Sequence, residues 1–172
     1  IFGPLFWMCV GAIFWEFSYI LPGPLCMACI YKSASTLDSM IGYKEGELRW
    51  LGSAGARLED FMTWIPCRMV LITMPIISTS FKDIRKIIRT SYEEGKKDLS
   101  PNAGLSEAIF ANCGGVKMGG INKYKNKLVS TPILAKNGRD ANRKLIKELL
   151  KLSLKLQILW TAIILLISIL IL

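Results

Sequence analysis

The first thirty residues carry a single charged side chain, Glu16, and the last seventeen, from Leu156 onward, carry none. Apolar stretches of that length at both ends restrict what the chain can fold into, because a bilayer core takes ~20 apolar residues of helix at ~1.5 Å each. Residues 1–20 are long enough to span once. Residues 25–31 are too few for another crossing, and Pro22-Gly23-Pro24 predicts a kink or re-entrant bend, tolerable where protein buries the freed backbone groups. Residues 61–81 are apolar again but interrupted by Pro66, Arg68 and Pro75, which makes a marginal second membrane segment that re-enters or stays interfacial. Residues 141–172 read as one long helix, amphipathic and basic first, then uninterrupted from Ile158 to Leu172. Lys151 and Lys155 can snorkel toward the interface, and Trp160 suits the boundary.

The centre of the chain is polar and basic. From Lys82 to Lys151 there are 16 Lys or Arg against 7 Asp or Glu, a net of plus nine that accounts for the +9 of the whole chain. By the positive-inside tendency this segment is cytoplasmic. Within it, Ile84, Ile87, Ile88 and Tyr92 recur at helical spacing beside a basic face, as in an amphipathic helix at the headgroup layer. The expected fold is all-α: a polytopic integral membrane protein with transmembrane helices and a basic cytoplasmic region of helices and loops. The expected organisation is one membrane domain divided into 1–31, 32–60, 61–81, 82–151 and 152–172.

Several chemistries are disfavoured. Five cysteines are present but no histidine, and Cys26 with Cys29 is the one C-x-x-C pair, so neither zinc nor haem is expected and the thiols read as small core residues. Gly114-Gly115-Val116-Lys117-Met118-Gly119-Gly120 fits neither phosphate-loop nor dinucleotide spacing and reads as a turn. The basic residues are not interleaved with aromatics, so a nucleic-acid partner is not expected.

Three polar clusters stand out: Ser35-Thr36-Leu37-Asp38-Ser39-Met40-Ile41-Gly42-Tyr43-Lys44, then Gly52-Ser53-Ala54-Gly55-Ala56-Arg57-Leu58-Glu59-Asp60, then Leu99-Ser100-Pro101-Asn102-Ala103-Gly104-Leu105-Ser106-Glu107-Ala108. In the first, Ser35 or Thr36 is placed to cap a helix with Asp38 in capping-box spacing, and the ammonium of Lys44 can meet a phosphate or simply be solvated. In the second, Arg57 and Asp60 share a helix face, as an ion pair or as a phosphate fork beside an oxygen ligand for magnesium. In the third, a turn at 100–104 leads into a short helix ending near Gly114, whose first amides either cap or bind an anion. Glu16, alone in its apolar stretch, has Arg68 as a candidate partner.

Together with Pro66-Cys67-Arg68 and Gly119-Gly120-Ile121-Asn122-Lys123-Tyr124, these clusters resemble, in order, the motifs of the integral-membrane adenosylcobinamide-phosphate synthases, the CbiB or CobD family. The chain departs from that pattern in places. Glu59 stands where the family usually has Asp, Asp98-Leu99-Ser100 where it has His-Pro-Ser, and Leu105-Ser106 where it has Trp-Pro. The family's proteins have an amino-terminal half without counterpart here, so the chain is expected to be a fragment.

The resemblance implies cobalamin biosynthesis: ATP-dependent amide ligation of adenosylcobyric acid with aminopropanol phosphate, giving adenosylcobinamide phosphate. It implies catalytic roles for Asp38, Asp60 and Glu107, and substrate or phosphate contacts from Lys44, Arg57, Ser100, Asn102 and Tyr124. Magnesium would fall to Asp38, Glu59 and Asp60, with ATP as co-substrate. Expected partners are membrane lipid, the corrinoid substrate, and a separate amino-terminal half or other cobalamin-assembly membrane enzymes. The location implied is the cytoplasmic membrane, with several passes and the motifs on the cytoplasmic side. The competing expectation is a non-catalytic membrane regulator resembling the AmpE-type proteins, or an inactive remnant.

Overall fold

The computed structural model describes residues 2–18, 20–41, 49–78, 83–98, 100, 102–124 and 127–171. Their order is α1 (Phe2–Phe17), α2 (Pro24–Ile41), α3 (Arg49–Ser78), α4 (Ile84–Gly95), α5 (Ala103–Gly114), β1 (Met118–Tyr124), β2 (Lys127–Leu134) and α6 (Arg143–Ile171). The chain divides into two compact units, Ile1–Pro66 with Gln157–Leu172 and Cys67–Leu156, whose boundaries fall within α3 and α6.

In the first unit α1 and α2 pack through small residues. A Cβ on Gly11 would lie 2.7 Å from the Gly23 carbonyl oxygen and 2.8 Å from the Pro24 Cα, and one on Gly3 would collide with the Tyr31 ring. Pro24 opens α2, where a missing N–H costs nothing because no helical acceptor precedes it. Ser35 and Thr36, expected to cap a helix, lie inside α2 instead, because the helix starts eleven residues earlier and runs on through them. Tyr31, Ala34 and Met62 form a buried cluster with Trp7 against it, so α1, α2 and α3 share one core.

α3 is continuous through Pro66 and Pro75, which corrects the expectation of an interrupted segment. Both prolines are fully buried. A proline removes the N–H that would reach the carbonyl four residues earlier, and for Pro66 that carbonyl belongs to Met62. The indole Nε1 of Trp7 donates to it at 3.0 Å. A neighbouring helix thus repairs the defect that the sequence reading took as a break, as happens for prolines in apolar helices.

In the second unit α4 ends against the start of α5. A Cβ on Gly95 would lie 2.7 Å from the Leu105 Cα and 2.8 Å from its amide nitrogen, so the backbones touch. Ser91 is buried in the same contact and donates to the Ala108 carbonyl at 3.4 Å. α5 ends in a left-handed Gly115 (φ 60), with Val116 N–H reaching the Ala111 carbonyl at 2.9 Å. Ala108, Ala111, Leu134 and Ala135 form the core here, with Met118 packed on it.

The antiparallel hairpin of β1 and β2 corrects the all-α expectation. Its pairs run from Gly120 with Thr131 to Tyr124 with Lys127, with an irregularity between Met118 and Gly120. Gly119 (φ 85) and Gly120 (φ 93) make that bulge, and a side chain on Gly119 would strike the Pro132 carbonyl oxygen. Gly119 and Gly120, read as part of a turn, are therefore strand residues, whereas Gly114 ends α5 and Gly115 caps it. Pro132 is tolerated because each strand of a two-stranded sheet is an edge.

Gly52–Ser78 and Arg143–Ile169 are long and apolar enough to cross a bilayer, and Phe2–Phe17 is a shorter apolar helix. Of the α6 window only 11% is buried, and Ile158, Ile163, Leu165, Leu166 and Ile169 are exposed. Uncovered aliphatic surface of that extent suits an acyl-chain environment and not the core of a soluble protein.

Candidate functional site

The first two polar clusters meet where α3 passes α2. A Cβ on Gly55 would sit 3.6 Å from the Asp38 amide nitrogen and 3.6 Å from the Leu37 carbonyl carbon, ordinary contact distance. Further along, the Tyr31 hydroxyl lies 3.2 Å from Thr63 Oγ1. Position 38 beside 55 and position 31 beside 63 make the two helices antiparallel. Gly55, Glu59 and Thr63 recur every four residues, so they form one stripe facing α2.

Glu59 is therefore on the face that looks at the Asp38 helix. Its Oε1 accepts the Thr63 hydroxyl at 2.6 Å, and Thr63 is in turn linked to Tyr31. Asp38, Glu59 and Asp60 are half-buried, whereas Arg57 is exposed. Tyr31 and Thr63, which sequence reasoning missed, hold the Glu59 carboxylate; the i,i+4 spacing of Glu59 and Thr63 was the available signal. Lys44 lies outside the described residues.

The third cluster belongs to the second unit. Asn102 is 3% exposed, and its Oδ1 accepts a 2.8 Å hydrogen bond from Arg68 Nη1. Cys67 Sγ lies 3.3 Å from both the Asn102 carbonyl oxygen and Ser106 Oγ. The turn ahead of α5 is closed from within: Asp98 Oδ1 accepts the Ser100 N–H at 2.9 Å, and Ser100 Oγ accepts the Ala103 N–H at 3.3 Å. Asp98, which departs from the family pattern, thus builds the turn. Gly104 N–H is also engaged, by the Ser100 carbonyl at 3.3 Å. Two amides at the start of α5 are satisfied internally, and Asn102 presents its side chain to Arg68 instead of capping the helix. Glu107 is exposed on α5. Tyr124 pairs through its backbone with Lys127, and its side chain lies outside what is described.

Glu16 accepts the Ser168 hydroxyl at 3.2 Å. Glu94, also missed, ties three elements together: its Oε2 accepts Asn112 Nδ2 at 2.8 Å and the Ala135 N–H at 3.0 Å. Among the described residues no three His, Cys, Asp or Glu side chains gather as a metal cluster. The donor set fits magnesium in one mode, in which one or two carboxylates meet an ion whose remaining ligands are phosphates and water.

A family model described as CobD/Cbib protein matches residues 1–153. The cobalamin biosynthesis protein CobD of Synechocystis is 44% identical over 131 residues, covering 76% of this chain and 36% of the relative. The probable CobD of Methanocaldococcus jannaschii is 37% identical over 117 residues, 67% of this chain and 37% of the relative. CobD of Yersinia enterocolitica is 31% identical over 141 residues, 81% and 41%. The chain thus spans about two fifths of the length of these curated relatives. No solved structure matches it. A match across nine tenths of the chain, together with polar motifs that the fold assembles onto facing helices, makes this chain a member of the CobD/CbiB protein family.

Proposed function

We propose that this chain carries part of the site of a cobalamin-pathway ligase, one that joins a carboxylate of adenosylcobyric acid to aminopropanol phosphate at the expense of ATP. The observation that supports it most is the contact of Gly55 with the Asp38 backbone, which lays two acidic motifs along facing helices. In the reaction a substrate carboxylate oxygen attacks the γ-phosphorus of ATP and releases ADP; the amine then attacks the acyl carbon and expels phosphate. Arg57, exposed on α3, and Lys44 offset phosphate charge. Asp38 and Asp60 orient the amine and take its proton, and Glu59 is fixed by Thr63 for the same surface. Asn102, whose side chain accepts from Arg68, is a further substrate contact in this reading, with Ser100, Glu107 and Tyr124. Magnesium, when bound, offsets phosphate charge during transfer.

The same reading makes the protein a multi-pass component of the cytoplasmic membrane, with α6 crossing, α3 re-entering or staying interfacial, and the motifs on the cytoplasmic side. The corrinoid substrate, lipid and an amino-terminal half supplied by the same or a separate polypeptide are its partners. Turnover in nanodiscs tests the reading, with this chain alone and with the amino-terminal half of a full-length relative. Product formed on reconstitution supports it; no product from a folded, reconstituted pair refutes it.

A further inference from the structure

The β1–β2 hairpin is covered only at its base, where Met118 and Leu134 pack with Ala108 and Ala111. Beyond Gly120 and Thr131 the described side chains stand in the open. Ile121 is 76% and Leu128 75% exposed, and Asn122, Lys123 and Ser130 are exposed with them. Ile121 pairs with Ser130 and Lys123 with Leu128, so these four side chains share one face and the two aliphatic ones are diagonal neighbours. The other face is polar, with Asn122 Nδ2 donating to Thr131 Oγ1 at 3.3 Å. A two-stranded hairpin is marginally stable in water when no third layer covers it. An apolar pair at the end of such an arm calls for an occupant.

Charge narrows the choice. From Lys117 to Lys136 the chain has five lysines and no acidic residue. A second copy would set the same five cations against these. A nucleic acid would meet the cations but leave Ile121 and Leu128 in water. An anionic lipid surface satisfies both groups, taking ammonium groups at its phosphates and aliphatic side chains at the acyl boundary.

Position agrees with charge. Lys117 N–H donates to the Arg139 carbonyl at 2.9 Å and Arg139 N–H to the Gly115 carbonyl at 2.8 Å, so the root of the hairpin is tied to Arg139. α6 begins at Arg143, no more than ~14 Å of chain further on. Its uncharged tail begins at Leu156, ~20 Å along the helix axis. β1 is itself ~23 Å long, so an arm rooted beside α6 has the reach to touch the bilayer that the tail enters.

We propose that the β1–β2 hairpin is a membrane-docking arm, which seats Ile121 and Leu128 at the acyl boundary of an anionic leaflet and places its lysines among the phosphodiester headgroups. The inference rests on α6 lying in the bilayer and is independent of the ligase reading.

Hydrogen–deuterium exchange of the full chain in nanodiscs tests it, comparing phosphatidylcholine alone with phosphatidylcholine and phosphatidylglycerol in equal parts. Amides of residues 121–130 should exchange at least ~5-fold more slowly in the anionic discs, the equivalent of one lysine held at such a surface, while those of α5 exchange alike in both. High salt should remove the difference. Replacing the apolar pair (I121T with L128T) keeps β-branched residues in the strands and should abolish the slowing, which separates insertion from a general effect of surface charge. A chain that enters neither disc, equal exchange in the two discs, or undiminished slowing in the double variant overturns the proposal. So does equal slowing in phosphatidylcholine discs on addition of an RNA oligonucleotide or of the amino-terminal half of a relative, which assigns the arm to that partner.

Discussion

The indole of Trp7 donates to the carbonyl of Met62, the acceptor that Pro66 leaves without its helical N–H, at 3.0 Å. One hydrogen bond from α1 thereby satisfies the acceptor that Pro66 leaves open in α3. Trp7→Phe orphans that carbonyl and is expected to cost ~1–3 kcal/mol. In a Pro66→Ala background the helix supplies its own N–H, so the same substitution should cost markedly less. A double-mutant cycle by denaturation in detergent checks this, and equal costs in the two backgrounds would contradict it.

Gly55 sets the α2–α3 spacing at Asp38. Its Cβ position is 3.6 Å from the nearest backbone atoms, so Gly55→Ala fits and should leave ligase turnover of the reconstituted protein within about threefold. Gly55→Leu forces the helices apart and should lower turnover by about 10²-fold, since misplacements of ~1 Å carry penalties of that order. Equal activity in the two variants would separate the contact from function.

Arg68 and Asn102 form a polar pair whose asparagine is almost wholly buried. Arg68→Ala leaves Asn102 Oδ1 short of a donor and is expected to destabilise by ~1–3 kcal/mol. Arg68→Lys keeps the charge but loses the planar fork, and should recover part of the loss. Thermal unfolding of the three proteins ranks them; a lysine variant no better than alanine would show that charge is irrelevant at this position.

Burial raises the Cys113 thiol from 9.0 to about 11, against a smaller opposing hydrogen bond from Ser78. The folded state holds this proton more tightly than the unfolded state. Its contribution is therefore complete below pH 9 and lost as pH rises through about 11. Wild-type stability should fall over that window by ~2 kcal/mol more than that of Cys113→Ala. Parallel pH dependences in the two proteins would contradict the shift.

Much of the helical framework was legible because apolar run length and charge position are properties of the sequence itself. α6 followed from its uncharged tail, α4 from the spacing of Ile84, Ile87 and Ile88, and α5 from the turn at 100–104 and the glycines after it. What escaped depends on partners distant in sequence. The acceptor that Pro66 leaves open in α3 is met by Trp7, fifty-five residues away from Met62. The hairpin needs Pro132 opposite Gly119, and glycine pairs alone do not distinguish a bulge from a turn. In the site, the residue types of the motifs were visible, whereas the support of Glu59 by Thr63 and Tyr31, and of Asn102 by Arg68, emerged from packing.

The central claim is that the α2–α3 acidic face performs the ligation, and Asp38→Asn probes it most directly. The substitution preserves shape and the Gly55 contact while removing the carboxylate. With adenosylcobyric acid, aminopropanol phosphate, ATP and magnesium in nanodiscs containing the amino-terminal half of a relative, kcat should fall at least ~10²-fold, with thermal stability unchanged. Undiminished turnover in a folded Asp38→Asn protein would contradict the account.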